Sequence, residues 1–217
     1  SNVELQGFVA NRAHHADIGS ETPGSMPLSS CLQEEGIIIS PCHLLKRGEL
    51  DKTQFEVIMT VMRNREQSEG DFNAQIAANQ IGQKRLAELI TKMGYIAYQK
   101  ALLALNDYAE QLARVSYRQI PDGEYCFEDI LDDDGLGEKD IKIAVMIKVV
   151  SGEVFVDFDG TANQVAGNVN SPLSVTAAAV YYVFRCLLPS HAPACVGSFR
   201  GIRVSAPQKT IVTAAFP

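Results

Sequence analysis

The alternation of apolar and polar residues changes period along the chain, and each change marks an element. Val3, Leu5, Phe8 and Val9 suggest a short strand over 3–10, leading into a Gly/Pro/Ser loop from Gly19 to Ser30. The β-branched run Ile37-Ile38-Ile39, closed by Ser40-Pro41, predicts a buried strand. Leu44 and Leu45 lead to a turn at Lys46-Arg47-Gly48. Phe55, Ile58, Met59 and Met62 then recur at three-and-four spacing, predicting a helix from an Asp51 or Thr53 cap to about Arg65, with its methionines as core filler.

A longer helical stripe follows, through Ala74, Ala77, Ala78, Ile81, Leu86, Leu89, Ile90 and Met93. Gly70-Asp71 opens it, with Asp71 as N-cap, and Gly94 closes it after Lys92. A second helix runs from about Tyr95 to Arg118 with Leu102, Leu105, Tyr108, Leu112 and Val115 inward, and Pro121 stops it. The pair reads as a helical hairpin or a bent helix.

Period two takes over at Ile141, Ile143, Val145, Ile147 and Val149, and resumes at Val154, Val156 and Phe158 after Ser151-Gly152. That is a β-hairpin with one buried face. Ser171 as N-cap and Pro172 at N1 open a helix to about Leu188, apolar nearly all round and so expected to be buried. One more strand is predicted at Ile202 to Ser205, before a Pro-rich segment without a closing element.

The order strand-loop, long helices, hairpin, buried helix is α+β, not alternating βαβ. A helical subregion spans about 51–120 and an α+β subregion about 123–217. The abrupt end suggests that residues 3–217 are a fragment of one larger domain, and Ser1-Asn2 reads as an expression scar.

Composition narrows the partners. The 217 residues carry a net charge of −7, and no basic stripe exists to displace counterions from a nucleic acid. The acids concentrate at Glu128, Asp129, Asp132, Asp133 and Asp134, which read as a solvated loop because a calcium loop's closing glutamate is missing. Five cysteines without a CxxC pair, no signal peptide and no apolar run near twenty residues suggest a reduced cytoplasmic protein with no membrane span.

Three polar clusters compete for the chemistry. In Asn11-Arg12-Ala13-His14-His15-Ala16-Asp17-Ile18-Gly19, His14 and Asp17 at i and i+3 suit one borderline cation, with His15 as outer partner or general base. The alternative is a surface loop whose His and Asp bond nearby backbone. Glu34, Glu35 and His43 are candidate third ligands that the spacing does not separate. Asp157 and Asp159 share a strand face, either as paired carboxylates or as a turn, and Asp159 is the catalytic candidate there. Asn168 and Asn170 precede a helix N-terminus, where they either bind substrate or satisfy the loop. Arg12 joins them as a substrate-binding candidate. Asp71, Gln75 and Asn79 share a helix face read as the solvated side, and His191 as an exposed loop histidine.

Taken together, the run 10–19, Thr22-Pro23-Gly24-Ser25-Met26-Pro27, Glu34-Glu35-Gly36, the run 74–80 (Ala74 to Gln80), Asp157-Phe158-Asp159-Gly160-Thr161 and the run 167–172 (Gly167 to Pro172) resemble the hydantoinase B/5-oxoprolinase family. The resemblance implies a B-type subunit, or the matching half of a fused protein, working with an A-type partner that binds ATP and phosphorylates the substrate. Together such proteins open a cyclic amide, 5-oxoproline or a hydantoin. It further implies a divalent transition metal (zinc, manganese or iron) held partly by His14 and Asp17. Beside it, His15 is the residue expected to transfer a proton, and the chain is expected to belong to an oligomer and to be inactive as an isolated fragment. Related acetone and acetophenone carboxylases share the HxxD motif, so an ATP-dependent ketone carboxylase subunit stays open as an alternative, as does a non-catalytic scaffold. Two positions depart from the family pattern: Ser20 stands where a second glycine is usual, and Pro193-Ala194-Cys195-Val196-Gly197 lacks the asparagine of proline-asparagine-x-glycine.

Overall fold

The computed structural model describes residues 5–22, 24 and 27–216. Ser1, Asn2 and Val3, and Pro23, Ser25 and Met26 of the proline-glycine run, lie outside the described residues. The fold is α+β, in two compact units, Ser1–Tyr95 and Ile96–Pro217.

In the first unit, strands β1 (Leu45–Lys46) and β2 (Glu49–Leu50) form a minimal hairpin. Its two turn residues, Arg47 and Gly48, have φ of 55° and 87°, the left-handed pair that a two-residue hairpin turn requires. Helix α1 (Lys52–Met59) is capped by Asp51, whose carboxylate accepts from the Gln54 N–H at 3.1 Å. Its apolar face, Phe55, Ile58 and Met59, packs with Met62 and Phe72 into the unit's core, with Ile37, Leu44 and Leu50 around it.

Helix α1 stops at Met59 and does not run on to Arg65, because Asn64 already caps the next helix. Helix α2 (Arg65–Met93) therefore starts ahead of Gly70-Asp71, and Asp71 sits within it, not at its cap. The expected apolar stripe is also corrected. Only Ser68, Phe72 and Ile90 of α2 are buried, while Ile81 and Leu89 are exposed. Gly94 ends α2 as expected, at φ 78°, with its N–H on the Ile90 carbonyl at 2.8 Å.

Two expected strands are absent among the described residues. Residues 5–10 join no ladder, and Phe8 is 84% exposed. Ile37–Ile39 likewise form no strand, with Ile38 and Ile39 exposed and the Ile37 N–H on the Ile18 carbonyl at 2.9 Å. β-branched residues favour extended backbone, but without a neighbouring strand to take the backbone groups they do not make a sheet.

The second unit holds a four-stranded sheet of order β3-β4-β5-β6: β3 (Gly123–Asp133), β4 (Lys139–Val150), β5 (Glu153–Asp157) and β6 (Ile202–Ser205). The predicted hairpin is β4–β5, with Val149 opposite Val154 across the Ser151-Gly152 turn. Strand β6 runs parallel to β5. A parallel neighbour requires a crossover, and α4 (Leu173–Cys186) supplies it, so one βαβ connection exists where none was expected. The acidic run is not a loop either: through Asp133 it is the second half of edge strand β3, all eleven residues of which are exposed. Asp134, just beyond it, is buried.

Ala113 and Tyr117 of α3 (Tyr95–Tyr117), Val154 and Val156 of β5, Val180 and Phe184 of α4, and Ile202 of β6 form the main core. The buried face of α3 is thus Tyr98, Ala109, Ala113 and Tyr117, rotated from the expected one; Leu102, Leu105, Tyr108 and Val115 are exposed. Helix α4 is also less enclosed than its composition implied. Pro172, not Ser171, is its N-cap, and outside Thr176, Val180 and Phe184 it exposes apolar surface, with Tyr182 72% exposed. The segment after β6 is packed: Ile211 and Val212 are buried with Ile141, and the Thr176 hydroxyl donates to the Val212 carbonyl at 2.6 Å. Among the described residues no helix is long and apolar enough to cross a membrane.

Candidate active site

Residues 9–17 lie along α2 as an extended strap, and four contacts fix its direction. Val9 sits over Gly82, where an added Cβ would lie 2.5 Å from a Val9 methyl. The Asn11 amide donates to the Gln75 carbonyl at 2.8 Å and to Asn79 Oδ1 at 2.9 Å. The His15 ring packs on Phe72 at 4.9 Å between centroids, tilted by 42°. Asp17 Oδ2 accepts the Asn64 N–H at 2.8 Å, at the helix start. The order 82, 75/79, 72, 64 makes the strap antiparallel to α2. Lengths agree: eighteen helical residues rise about 27 Å, and eight extended residues cover about 26 Å.

The helix face under the strap is Asp71, Gln75, Asn79 and Gly82, residues that recur on one side at helical spacing. That face was expected to be solvated. Part of it carries the strap instead: Asn79 Oδ1 and the Gln75 backbone carbonyl accept from Asn11, and Asp71 stands 4.0 Å from His15 Nδ1, contacts that sequence reasoning did not foresee. The available signal was Gly82 at the end of the same row, since a bare helix position marks close approach of another backbone.

The hydrogen bonds that hold Asp17 come from backbone N–H groups. Besides Asn64, the Gly19 N–H reaches its Oδ1 at 2.9 Å. The Asn64 N–H, then that of Gly19, holds its carboxyl below the usual carboxylate range, so it is ionised beside the positive end of α2. The groove next to it, about 240 Å³, is lined by Ser20, Glu21, Arg63 and Gln67 among others.

The two histidines differ. His14 is exposed, and its Nε2 lies 3.0 Å from the Gly24 carbonyl. A carbonyl only accepts, so that nitrogen carries the proton and Nδ1 is the lone-pair side of the neutral ring. The Gly24 N–H returns to the Ala16 carbonyl at 2.7 Å and closes the loop. His15 is the more enclosed, with 11% of its side chain exposed. Its Nδ1 is buried without a hydrogen bond, and Asp71 Oδ2 stands 4.0 Å away. Both rings, with Arg12, Asn11, Asp71 and Gln75, line a groove of about 310 Å³. Arg12 is exposed there, its guanidinium available to an anionic group.

The third-ligand candidates lie apart from this pair. Glu34 accepts the Ser30 N–H at 2.8 Å, which holds its carboxyl below the usual range; Glu35 accepts the Ser29 hydroxyl at 3.2 Å; His43 is exposed. Among the described residues no three His, Cys, Asp or Glu side chains gather as a cation site. His14 and Asp17 therefore match a divalent cation in kind, since a ring oriented through its second nitrogen and an anchored carboxylate are what such ligands look like. They do not match it in number.

In the second unit Asp159 is exposed on a turn, and its N–H points to Asp157 Oδ1 at 3.3 Å. Asp157 also accepts the Ser205 hydroxyl at 2.9 Å, tying β5 to β6. Thr161 is buried, bonded through its hydroxyl to both backbone groups of Ala144. Asn170 braces its own loop, accepting from the Val165 N–H at 2.9 Å and donating to the Val165 and Gly167 carbonyls at 2.8 Å each. Asn168 is partly buried in the same loop, and His191 is exposed. The five cysteines are free thiols.

Histidine, arginine and carboxylate side chains thus line one groove along the long helix of an α+β chain. The chain belongs to the hydantoinase B/oxoprolinase family, whose model matches residues 1–217. It is 34% identical over 227 residues to the B-type subunit of a putative D-/L-hydantoinase from Pseudomonas sp. (strain NS671), covering 99% of this chain and 38% of that one. It is 32% identical over 222 residues to the 5-oxoprolinase of Dictyostelium discoideum, covering 98% of this chain and 17% of that one. Among solved structures it is similar to the ATP-dependent caprolactamase of Pseudomonas jessenii, with TM-score 0.83, 29% identity and coverage of 93% and 35%. A nucleotide-free acetone carboxylase shares the fold, with TM-score 0.83 at 16% identity, over 93% of this chain and 28% of that one. The chain thus spans well under half the length of these proteins.

Proposed function

We propose that this chain is part of the B-type subunit, or matching half, of an ATP-dependent hydrolase of cyclic amides of the 5-oxoprolinase or hydantoinase kind. The observation that carries this is the Asn11–Asn79 hydrogen bond. It joins the histidine run and the Ala74–Gln80 run, two separate stretches of family likeness, into one groove. The names of the relatives, a hydantoinase, a 5-oxoprolinase and a caprolactamase, give the substrate class.

A ring amide is a poor electrophile, and phosphorylation of its oxygen by an ATP-binding A-type partner would activate the ring carbon: water adds there, the C–N bond breaks to leave a ring-opened acyl phosphate, and a second water releases the phosphate. In this reading Arg12 holds the transferred phosphoryl group, whose non-bridging oxygens are anionic. His15 takes the proton from the attacking water and returns it to the ring nitrogen. In the second unit, Asp159 is an acid–base group and Asn168 a binding group; Asn170, already engaged at both ends of its amide, shapes the loop that carries Asn168. His14 Nδ1 and Asp17 would supply two ligands to a divalent transition metal, with the rest from outside the described residues. Bound there, such an ion supplies Lewis-acid polarisation of the activated carbon or its water. Residues 3–217 form one piece of the larger catalytic domain in this reading, in an oligomeric complex of the cytoplasm.

The test is reconstitution of the full-length protein with its A-type partner, offered 5-oxoproline, hydantoin, or acetone with bicarbonate. ATP-dependent ring opening supports the reading. Carboxylation of acetone without ring opening replaces it with the ketone carboxylase. If Asp17→Ala weakens association with the partner but leaves turnover of the assembled complex intact, the strap is a scaffold.

A further inference from the structure

Buried nitrogen atoms in folded proteins have partners, and His15 Nδ1 is the one buried side-chain polar atom among the described residues without one. The groups around it are few. The Asn11 amide is engaged with Gln75 and Asn79, Phe72 offers only its ring, and the His14 ring is turned to Gly24. The acceptor that faces it at short range is the Asp71 carboxylate, at 4.0 Å.

The gap is closable from one side. The His15 side chain is 11% exposed and packed on Phe72, while the Asp71 side chain is 45% exposed. A rotation that brings Oδ2 about 1.2 Å nearer makes an ordinary N–H···O bond. Such bonds are often long in an empty site and tighten when it fills.

We propose that Asp71 is the positioning residue of His15: its carboxylate takes the Nδ1–H and so fixes the tautomer that presents an unprotonated Nε2 to the groove. This rests on the proton-transfer role given to His15 above. The adjacent rings then hold opposite tautomers. His14, protonated at Nε2 toward Gly24, offers Nδ1; His15, protonated at Nδ1 toward Asp71, offers Nε2. One short strap thereby presents two imidazoles of different use.

The test uses the full-length protein with its partner, and the variants Asp71→Asn, Asp71→Glu, His15→Ala and His15→Ala/Asp71→Asn. An asparagine can donate to Nδ1 and favour the wrong tautomer. Asp71→Asn should therefore lower kcat by about 10- to 100-fold, with KM changed less than about twofold. Asp71→Glu should recover part of the loss, and the double variant should be no slower than His15→Ala alone. A kcat for Asp71→Asn within about twofold of wild type, while His15→Ala is slow, overturns the positioning role and leaves the hydrolase reading standing. Nitrogen NMR of the histidine-labelled full-length protein decides the pairing without turnover. His15 should be Nδ1-protonated in the wild type and lose that preference in Asp71→Asn. Identical His15 signals in the two proteins overturn the pairing even if no cyclic amide is ever hydrolysed.

Discussion

Gly82→Ala separates the strap from the helix that carries it. In the interior of α2, alanine is favoured over glycine by about 1 kcal/mol. On the strap side the added Cβ would lie 2.5 Å from a Val9 methyl, with further contacts at 3.5 and 3.6 Å. Carbon–carbon contacts relax to about 3.5–4.0 Å, so Val9 must retreat by about 1.0–1.5 Å. Overpacking of this kind costs about 1–3 kcal/mol, which the docked strap bears and the undocked strap does not. From Val9 to His15 the strap is held by the two Asn11 bonds, at about 1 kcal/mol each, and by the tilted His15–Phe72 ring contact at about 0.5–1.5 kcal/mol. A 1–3 kcal/mol penalty is therefore comparable to what holds the strap from Val9 to His15, ahead of the Asp17 anchor, and raises the undocked population of that part roughly 5- to 150-fold. Trypsin cleavage after the exposed Arg12 reads that population when opening is fast relative to cutting. The expected result is faster cleavage after Arg12 with no fall in melting temperature, because the helix itself gains. Val9→Ala/Gly82→Ala, which removes the clashing methyls, should return cleavage to the wild-type rate. Unchanged cleavage in Gly82→Ala, or failure of the double variant to restore it, refutes the docked strap.

Gly197→Ala should unfold the second unit readily: its Cβ would meet the Asn106 carbonyl oxygen at 2.1 Å and the Asn106 Cα at 2.8 Å, backbone that a helix cannot yield. A loss of about 3 kcal/mol, read as a lower urea midpoint, is expected. The Asp134 carboxyl is held below its ordinary range by the Leu136 N–H first, and by those of Gly167 and Glu138. A depressed pKa contributes stability that is complete above the unfolded value and lost as pH falls through the folded one. Urea midpoints of the wild type should therefore drop below about pH 4 more steeply than those of Asp134→Asn. Metal analysis of the full-length protein should find about one transition ion per chain, the number a single centre takes, and lose it in His14→Ala; full occupancy in that variant removes His14 from the ligands.

What was legible in the sequence was whatever a single element dictates for itself. The β4–β5 hairpin alternates on one buried face across a Ser-Gly turn, and both facts are local. Gly94 and Asp51 end and begin helices through their own backbone and side chain. Strand β3 was hidden because none of its eleven residues is buried: an edge strand paired on one side and solvated on both faces has no apolar period to detect. Its charges answer β4 instead, Glu124 to Lys148 and Glu128 to Lys142. Ile37–Ile39 carry a strand's composition without a strand's neighbour. The candidate site was half legible. Its histidines and Asp17 stood out by density, but Asp71 read as a good N-cap, since Asn64, seven residues earlier, is an equally good one. Asn64 is also the one whose backbone N–H Asp17 accepts, from 47 positions away in the sequence.

That bond also bears on what Asp17 does. Two backbone N–H groups already reach its two oxygens, which looks like a reason to deny it a ligand's role. A carboxylate oxygen has two lone pairs, so each can accept an N–H and still face a cation. Bonds of this kind orient metal-binding carboxylates and keep them ionised. The structural role of Asp17, anchoring the strap to the start of α2, and its proposed chemical role therefore need the same geometry. What separates a loop that only folds from one that also binds is the third donor beside His14 and Asp17.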